Sequence, residues 1–501
     1  MTTPTDQLRS TKPAWILALI TAWLGAAILF ATEPGINWPI WVATASVSLL
    51  VARFLSVRRV ETPLIVLVSW ATVLSIAFAL TATDFHHAWI VLSDAMLLGL
   101  ATITLGAENW GELSARLLAA VPFLAPLRVA GASARAAADA PSSVSSPRAR
   151  ALIRGSIISI PLVIVLVALL ASADPLIQWG TNHIAEWLPD WSFPPRLIFF
   201  LFLLTLTLGA NVLATRQLTA RLPEIPTVGT RFTIGVTEQR MVLWSAAVVL
   251  WLFVLLQTSY LIHPPPAAIG SGVTFAEFAR RGFGELSFAV TIVCAIIIVL
   301  EFARPADLSE RDRLVFRRLE LGLVVALELI LLSAFRRVVL YEQAYGFTEA
   351  RVFAQAYMIV IALAVAALAW EVRNGRISIA FGRRVAELAL AALTILVFWN
   401  YHAWIVNKNI DRAIAGQKFD SSYLTQRWPD AIPTLVARQN EIPAAERAVV
   451  DNYLACRRLP PPLRWYEWNR GVVAMDRALR SQPRQPCPNP RVTVSPVTPA
   501  S

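Results

Sequence analysis

Long apolar runs separated by short arginine-bearing stretches set the pattern of this chain. A helix that crosses a bilayer needs roughly 20 apolar residues, each rising about 1.5 Å. Eleven runs approach or reach that length: residues 14–31, 36–55, 63–81, 88–105, 152–171, 197–215, 241–261, 286–302, 319–334, 352–370 and 385–405. The pattern predicts an all-α integral membrane protein with about eleven transmembrane helices. The ninth run is short, and its helix is expected to continue into the charged stretch 335–351.

The connections between runs divide the chain further. Residues 1–130 carry helices one to four and then an apolar segment, 110–128, whose Pro122 and Pro126 suit a path along the inner surface. Residues 131–150, rich in alanine, serine and proline without periodicity, read as a flexible cytoplasmic linker. Residues 151–405 hold helices five to eleven, with Trp179, Trp187 and Trp191 marking an interfacial helix in the connection 174–195. Residues 406–482 alternate helix-forming stretches with prolines and read as a small α-helical domain. From 483 to 501 the proline-rich end is expected to be disordered.

Composition agrees. Of the 501 residues 56% are hydrophobic and 15% charged, against about 25% charged in an ordinary soluble domain. The net charge of +11 lies mostly in short loops between apolar runs, which favours a membrane over nucleic acid as partner. Residues 14–31 lack a small-residue cleavage site and read as a first membrane helix instead of a signal peptide. With the amino terminus inside, the inner connections hold 24 arginines and lysines and the outer ones six: Arg196, Arg280, Arg281, Arg336, Arg337 and Arg351. That imbalance predicts an amino terminus inside and a carboxy-terminal domain outside. His86, His87, His183, His263 and His402 then fall at outer ends or loops, and Tyr260, Tyr341, Tyr345 and Tyr401 form an outer aromatic belt. An extracytoplasmic tail would allow Cys456 and Cys487 to pair, with two unpaired thiols as the alternative. Cys294 sits in an apolar run and behaves as a small hydrophobe.

Candidate chemistry centres on two outer connections. In 335–351, Arg337, Tyr341 and Tyr345 recur every four residues and share one face of a helix end. Gly346 is placed to end that helix in a left-handed conformation and Thr348 to cap the next. In 274–286, Phe275 and Phe278 share a helical edge, Gly282 and Gly284 permit a change of direction, and Arg280 and Arg281 lie between them. Arg280, Arg281, Arg337, Tyr341, Tyr345 and Arg351 together suit an anionic group such as a phosphate, because guanidinium forks match its oxygens. Pairing of these arginines with Glu277, Glu285, Glu342 and Glu349, or with lipid headgroups, is the alternative.

Glu328 and Asp94 lie near the middle of apolar runs, where a charge costs a few kcal/mol or more, so each is a candidate for proton exchange or ion pairing. A neutral carboxyl bonded to a neighbouring helix, or a helix packed wholly against protein, is the alternative. His86 and His87 are adjacent and diverge by about 100° on a helix, and no spacing typical of a zinc site occurs. No metal and no cofactor is expected. GxxxxGK[ST], HExxH, GxSxG and a GxGxxG opening a βαβ unit are all missing from the sequence.

Several stretches look familiar as a set. The run Arg337-Val338-Val339-Leu340-Tyr341-Glu342-Gln343-Ala344-Tyr345-Gly346-Phe347-Thr348-Glu349-Ala350-Arg351 resembles the Arg-x-x-Leu-Tyr-x-x-x-Tyr-Gly-Leu-Thr-x-x-Arg pattern of a bacterial membrane-protein family catalogued as domain of unknown function 4173. Residues 274–286 are similar to a second motif of that family, and 407–414, 420–435 and 465–478 to its tail. Phe275 and Phe278 stand where tyrosines are usual, Phe347 for leucine, Gly284 for a bulky residue and Lys408 for proline. The likeness covers about 241–480 and implies a bacterial multi-pass membrane protein without an established activity.

These readings lead to a non-enzymatic expectation: transport or sensing, at the outer face of a bacterial cytoplasmic membrane, of an anionic envelope component or lipid headgroup. Arg281, Arg337, Tyr341, Tyr345 and Arg351 would meet it, and Glu328 would couple it to a proton or a conformational change. The alternative is an enzyme acting on a polyprenyl-phosphate-linked sugar, with Asp84, His86, His263 or His402 as base.

Overall fold

A computed structural model describes residues 12–107, 113–139, 193–216, 234–262, 283–305, 308–375, 377–378, 380–425 and 428–483. Among them every regular element is a helix. The chain divides into two compact units. The first comprises 1–80, 84–225 and 463–469, the second 81–83, 226–462 and 470–501.

The first unit is built from α1 (Lys12–Ile28), α2 (Asn37–Val57), α3 (Thr62–Ile76), α4 (Asp84–Ile103), α5 (Ala115–Asp139) and α6 (Phe193–Thr215). In α1 the buried positions Ala14, Ala18, Thr21, Ala22, Gly25 and Ala26 recur every three or four residues and are all small. In an apolar solvent the hydrophobic effect does not drive helices together, so close backbone approach along such a stripe supplies the packing. A Cβ on Gly25 would stand 2.5 Å from Leu203 of α6, and one on Gly209 would stand 2.1 Å from the Val129 carbonyl oxygen of α5.

Thr207 bonds the Ala18 carbonyl at 3.3 Å, and Ser133 bonds the Thr205 carbonyl at 2.5 Å. With Gly25 opposite Leu203 and Val129 opposite Gly209, α1 and α5 both run antiparallel to α6. The Asn37 side chain ties the α1–α2 turn, donating to the Ile28 and Glu33 carbonyls at 3.0 Å and accepting from the Gly35 N–H at 2.9 Å. On this turn sits the segment 463–469: the Ile36 N–H donates to Trp468 O at 3.0 Å, and Asn469 Nδ2 donates to Phe78 O at 3.0 Å.

The second unit is organised by one long helix. It contains α7 (Val236–Ile262), α8 (Phe283–Phe302), the 36-residue α9 (Glu310–Tyr345), α10 (Glu349–Arg373), α11 (Phe381–Phe398) and α12 (Tyr401–Ile414), followed by short tail helices. Ser309 starts α9 by accepting the Asp312 N–H at 3.1 Å, and Gly346 ends it at φ +85°, donating its N–H to Glu342 O at 2.8 Å. Leu323, Val324, Leu327, Ile330 and Leu331 of α9 pack against Leu243, Leu250, Ile297, Val365 and Leu368 in one apolar core. A second core gathers Tyr401, Ile405 and Ile410 of α12 with Trp428, Leu435, Val450, Leu454 and Leu479 of the tail. Asp430 secures residues 81–83 to this unit by accepting the Thr81 and Thr83 hydroxyls at 2.7 and 2.6 Å.

Among the described residues seven helices are long and apolar enough to cross a membrane: Asn37–Val57, Thr62–Ala79, Asp84–Ile103, Ala115–Ala137, Pro195–Thr215, Val236–Leu256 and Glu349–Arg373. Six of these coincide with runs recognised in the sequence. Runs 14–31 and 286–302 appear as shorter apolar helices, and 319–334 lies inside α9, whose charged ends lower its mean hydropathy. Run 385–405 is not straight. It bends by 64° between α11 and α12, where Trp399 is extended and Asn400 caps the new helix by accepting the Ala403 N–H at 3.0 Å.

The largest departure is α5. The segment expected to lie on the inner surface and then to become a linker is one helix through Asp139, with Pro122 and Pro126 inside it. Prolines are tolerated in membrane helices because neighbouring groups re-satisfy the freed carbonyls. Since α5 is parallel to α1, Arg135 lies toward the end opposite Arg116, so the arginines from 116 to 154 do not all belong to one face. Run 152–171, the interfacial helix at 174–195 and linker residues 140–150 lie outside the described residues, as do 484–501.

Candidate functional site

The carboxy-terminal end of α9 converges with the start of α10 and with α12, all within the second unit. An α-helix leaves its last carbonyls without intrahelical partners and carries partial negative charge there. Arg412 of α12 donates Nη1 to Gln343 O and Nη2 to Ala344 O, the latter at 3.3 Å. Arg351, in the first turn of α10, donates to Gly346 O. Its guanidinium lies 4.0 Å from the centre of the Tyr341 ring, and the Tyr341 and Tyr345 rings are 4.9 Å apart. The four-residue series is therefore used as a stacking face with a cation on it.

Asn409 fixes the turn itself. Its Oδ1 accepts the Phe347 N–H at 2.9 Å, and its Nδ2 donates to Phe347 O at 2.9 Å. A Cβ on Gly346 would stand 2.6 Å from Asn409 Oδ1, so glycine is needed there for space as well as for its positive φ. Thr348 occupies the position before α10 in an extended conformation, but its side chain makes no capping bond. Instead the Glu349 N–H donates to the Tyr423 hydroxyl at 2.8 Å. A tail side chain thus takes the role expected of Thr348. Burial pushes the Tyr423 phenol above its ordinary range, keeping it neutral and able to accept and donate.

Below this turn lies a buried polar cluster. Glu349 Oε1 accepts the Tyr401 hydroxyl at 3.0 Å and faces His402 Nε2 at 3.2 Å. Trp428 stands 5.2 Å from His402, Tyr423 4.8 Å from Trp428, and Phe353 5.4 Å from Tyr401. His402 is fully enclosed.

The predicted site residues are only partly brought together. Tyr341, Tyr345, Gly346 and Arg351 meet, and Arg337 lies one turn before Tyr341 on α9. Arg280, Arg281 and Cys487 fall outside the described residues. Cys456 Sγ lies 3.7 Å from Asn452 Oδ1. Glu342, which the sequence offered as a counter-ion, is buried and accepts from Gln355 at 2.7 Å, with Oε1 left without a partner. Arg351 and Arg412 are in no ion pair among the described residues, and Arg412 Nε has no acceptor there.

Glu328 is partly buried midway along α9, and its Oε1 has no partner. Asp94, in the first unit, accepts Trp38 Nε1–H at 2.8 Å through Oδ2, while Oδ1 has none. Among the described residues no group of three or more His, Cys, Asp or Glu is placed to hold a metal ion.

Arg412 and Asn409 were missed as site residues. The signal was present, because both lie in the stretch 407–414 that carries part of the family likeness, but nothing local ties that stretch to a helix end more than 60 residues earlier. A family model described as a domain of unknown function (DUF4153) matches residues 68–437, which include all of these groups except the tail beyond Val436–Ala437. No curated protein and no solved structure matches the chain.

Proposed function

The chain belongs to the DUF4153 family, and from that premise we propose that it is a multi-pass protein of a bacterial cytoplasmic membrane that transports or senses an anionic envelope component or lipid headgroup at its outer face. The reading takes about eleven membrane helices, the amino terminus inside and residues 406–482 outside. The likeness of the Arg337–Arg351 motif to domain of unknown function 4173 points the same way.

One observation carries the proposal. Arg351 and Arg412 converge on the end of α9 with no carboxylate within ion-pair distance among the described residues, and their partly exposed guanidiniums keep N–H donors, the buried Arg412 Nε aside, for a phosphate or carboxylate. Tyr341 and Tyr345 supply the amphipathic rings usual at headgroup level. Within the second unit the tail packs on this same turn through Asn409, Arg412 and Tyr423, and in the first unit 463–469 packs on the α1–α2 turn. The contact with the α1–α2 turn favours a tail on the side opposite the amino terminus. Arg240, Arg304, Arg313, Arg317, Arg373 and Arg384 gather at the other end of the second unit's helices, as inner positive charge would.

The test is lipid retention by the full chain in nanodiscs, read by native mass spectrometry. Phosphatidylglycerol should be retained over phosphatidylcholine, less so at high salt, and Arg351→Ala/Arg412→Ala should abolish that preference while leaving the protein monodisperse. An unchanged preference in the double variant sinks the proposal. An enzyme using the His402–Glu349 pair on a polyprenyl-phosphate-linked sugar is the second reading, and the enclosure of His402 weighs against it.

A further inference from the structure

A cavity of about 500 Å³ lies at the opposite end of α9, between the first turns of that helix, the end of α8 and the end of α10. Its lining carries charge of both signs, and the signs are separated by depth. Inside, Arg304 bridges two carboxylates, with Nη1 2.5 Å from Glu301 Oε2 and Nη2 2.5 Å from Glu320 Oε1. The Phe316 ring, 4.9 Å away, holds the guanidinium in place. The Glu320 side chain is 2% exposed, and Arg304 Nε is buried without an acceptor. One guanidinium shared between two carboxylates leaves carboxylate oxygens with acceptor capacity to spare.

At the mouth the balance reverses. Arg313 and Arg317 are exposed and stand one turn apart on α9, so they face the same way. Arg313 meets Glu310 only loosely, at 3.7 Å with that carboxylate's side chain 86% exposed, and Arg317 is in no ion pair among the described residues.

A simple anion drawn in by the mouth would meet the inner carboxylates, and a simple cation would have to pass the arginines. A ligand with a positive end and a negative end satisfies both. We propose that this cavity binds a small zwitterion of the phosphoethanolamine class, its primary ammonium toward Glu301 and Glu320 and its phosphate on Arg313 and Arg317. A primary ammonium has three N–H donors for the carboxylates, whereas a trimethylated one has none. A guanidinium pair on one helix face suits a phosphate. Leu308 and Leu314 add apolar lining that a lipid's glycerol and chains can follow outward. The same chemistry is offered by an aminophospholipid headgroup and by the free compound.

Titration calorimetry on the full chain in detergent, with O-phosphoethanolamine, phosphocholine and inorganic phosphate as probes, tests the inference. Phosphoethanolamine is expected to bind at least about tenfold more tightly than the other two, the equivalent of about 1.4 kcal/mol. Arg317→Ala, at an exposed position that leaves the fold intact, should weaken it by about tenfold, and Glu320→Gln should narrow the margin over inorganic phosphate. Retention of phosphatidylethanolamine over phosphatidylcholine in nanodiscs, without binding of the free compound, identifies the lipid as the source and supports the inference. Equal binding of phosphate or phosphocholine, unchanged affinity in Arg317→Ala, or retention of neither the lipid nor the free compound overturns it. The Arg351→Ala/Arg412→Ala variant should bind phosphoethanolamine as the wild type does, so this site and the proposed outer one fail separately.

Discussion

Two arginines, one in each unit, meet the same structural demand with opposite charge balance. In the first unit Arg53, 2% exposed, donates Nη1 to Ala214 O at 3.2 Å and Arg216 O at 2.7 Å, closing the end of α6. Its Nε lies 3.1 and 3.0 Å from the two oxygens of Glu61, so its charge is neutralised on the spot. In the second unit Arg412 closes the end of α9 in the same manner, but it has Arg351 beside it instead of a carboxylate. Burial explains the difference. An enclosed guanidinium needs a counter-charge because it cannot be solvated, whereas a half-exposed pair can keep its charge for water or a ligand. A helix-capping arginine is therefore a structural pin in one place and a candidate binding group in the other.

Arg53→Ala strands Glu61 and two carbonyls in an enclosed corner and should cost about 3–5 kcal/mol, seen as a large drop in the thermal midpoint of the detergent-solubilised protein. Glu61→Ala added to it should restore part of that loss, because the stranded charge is gone. Gly346→Ala should cost about 1–3 kcal/mol from its positive φ and the Asn409 contact. In an Asn409→Ala background only the conformational part should remain.

Arg412→Ala exposes the Gln343 and Ala344 carbonyls to solvent and should cost only about 1 kcal/mol, while removing most anionic-lipid preference. A loss as large as that of Arg53→Ala would make Arg412 a pin as well. The smallest effect belongs to Asp420, an exposed cap that accepts the Tyr423 N–H at 3.0 Å. Its pKa is held below the ordinary carboxylate value chiefly by the Ser422 hydroxyl. Its stabilisation is therefore present above the unfolded pKa and fades as pH falls through the lower folded value. Asp420→Ala should cost about 0.5–1 kcal/mol at neutral pH, and that difference should shrink in melts recorded below about pH 4.

Some of this was legible because it depends on residues close in sequence. The apolar runs identify six of the seven candidate spans, since length and hydropathy alone decide whether a segment can reside in lipid. The end of α9 at Gly346 and its stacked Tyr341 and Tyr345 follow from a turn residue and a four-residue spacing. The failures have a common physical origin. The segment 110–128, with Pro122 and Pro126, read as a surface stretch ahead of a linker because only neighbouring helices decide whether carbonyls freed by proline are tolerated in a helix such as α5. Thr348 read as a cap, while Tyr423, 75 residues on, occupies that role.

Propensity, hydropathy and turn chemistry act locally, so the order of residues alone makes the described chain helical and suited to a membrane and stops α9 at Gly346. Only the tertiary structure decided which arginines are neutralised and which are left with donors to spare. That Arg53 meets Glu61 while Arg412 meets Arg351 depends on how helices far apart in the chain pack, and burial then fixes what each charge can do.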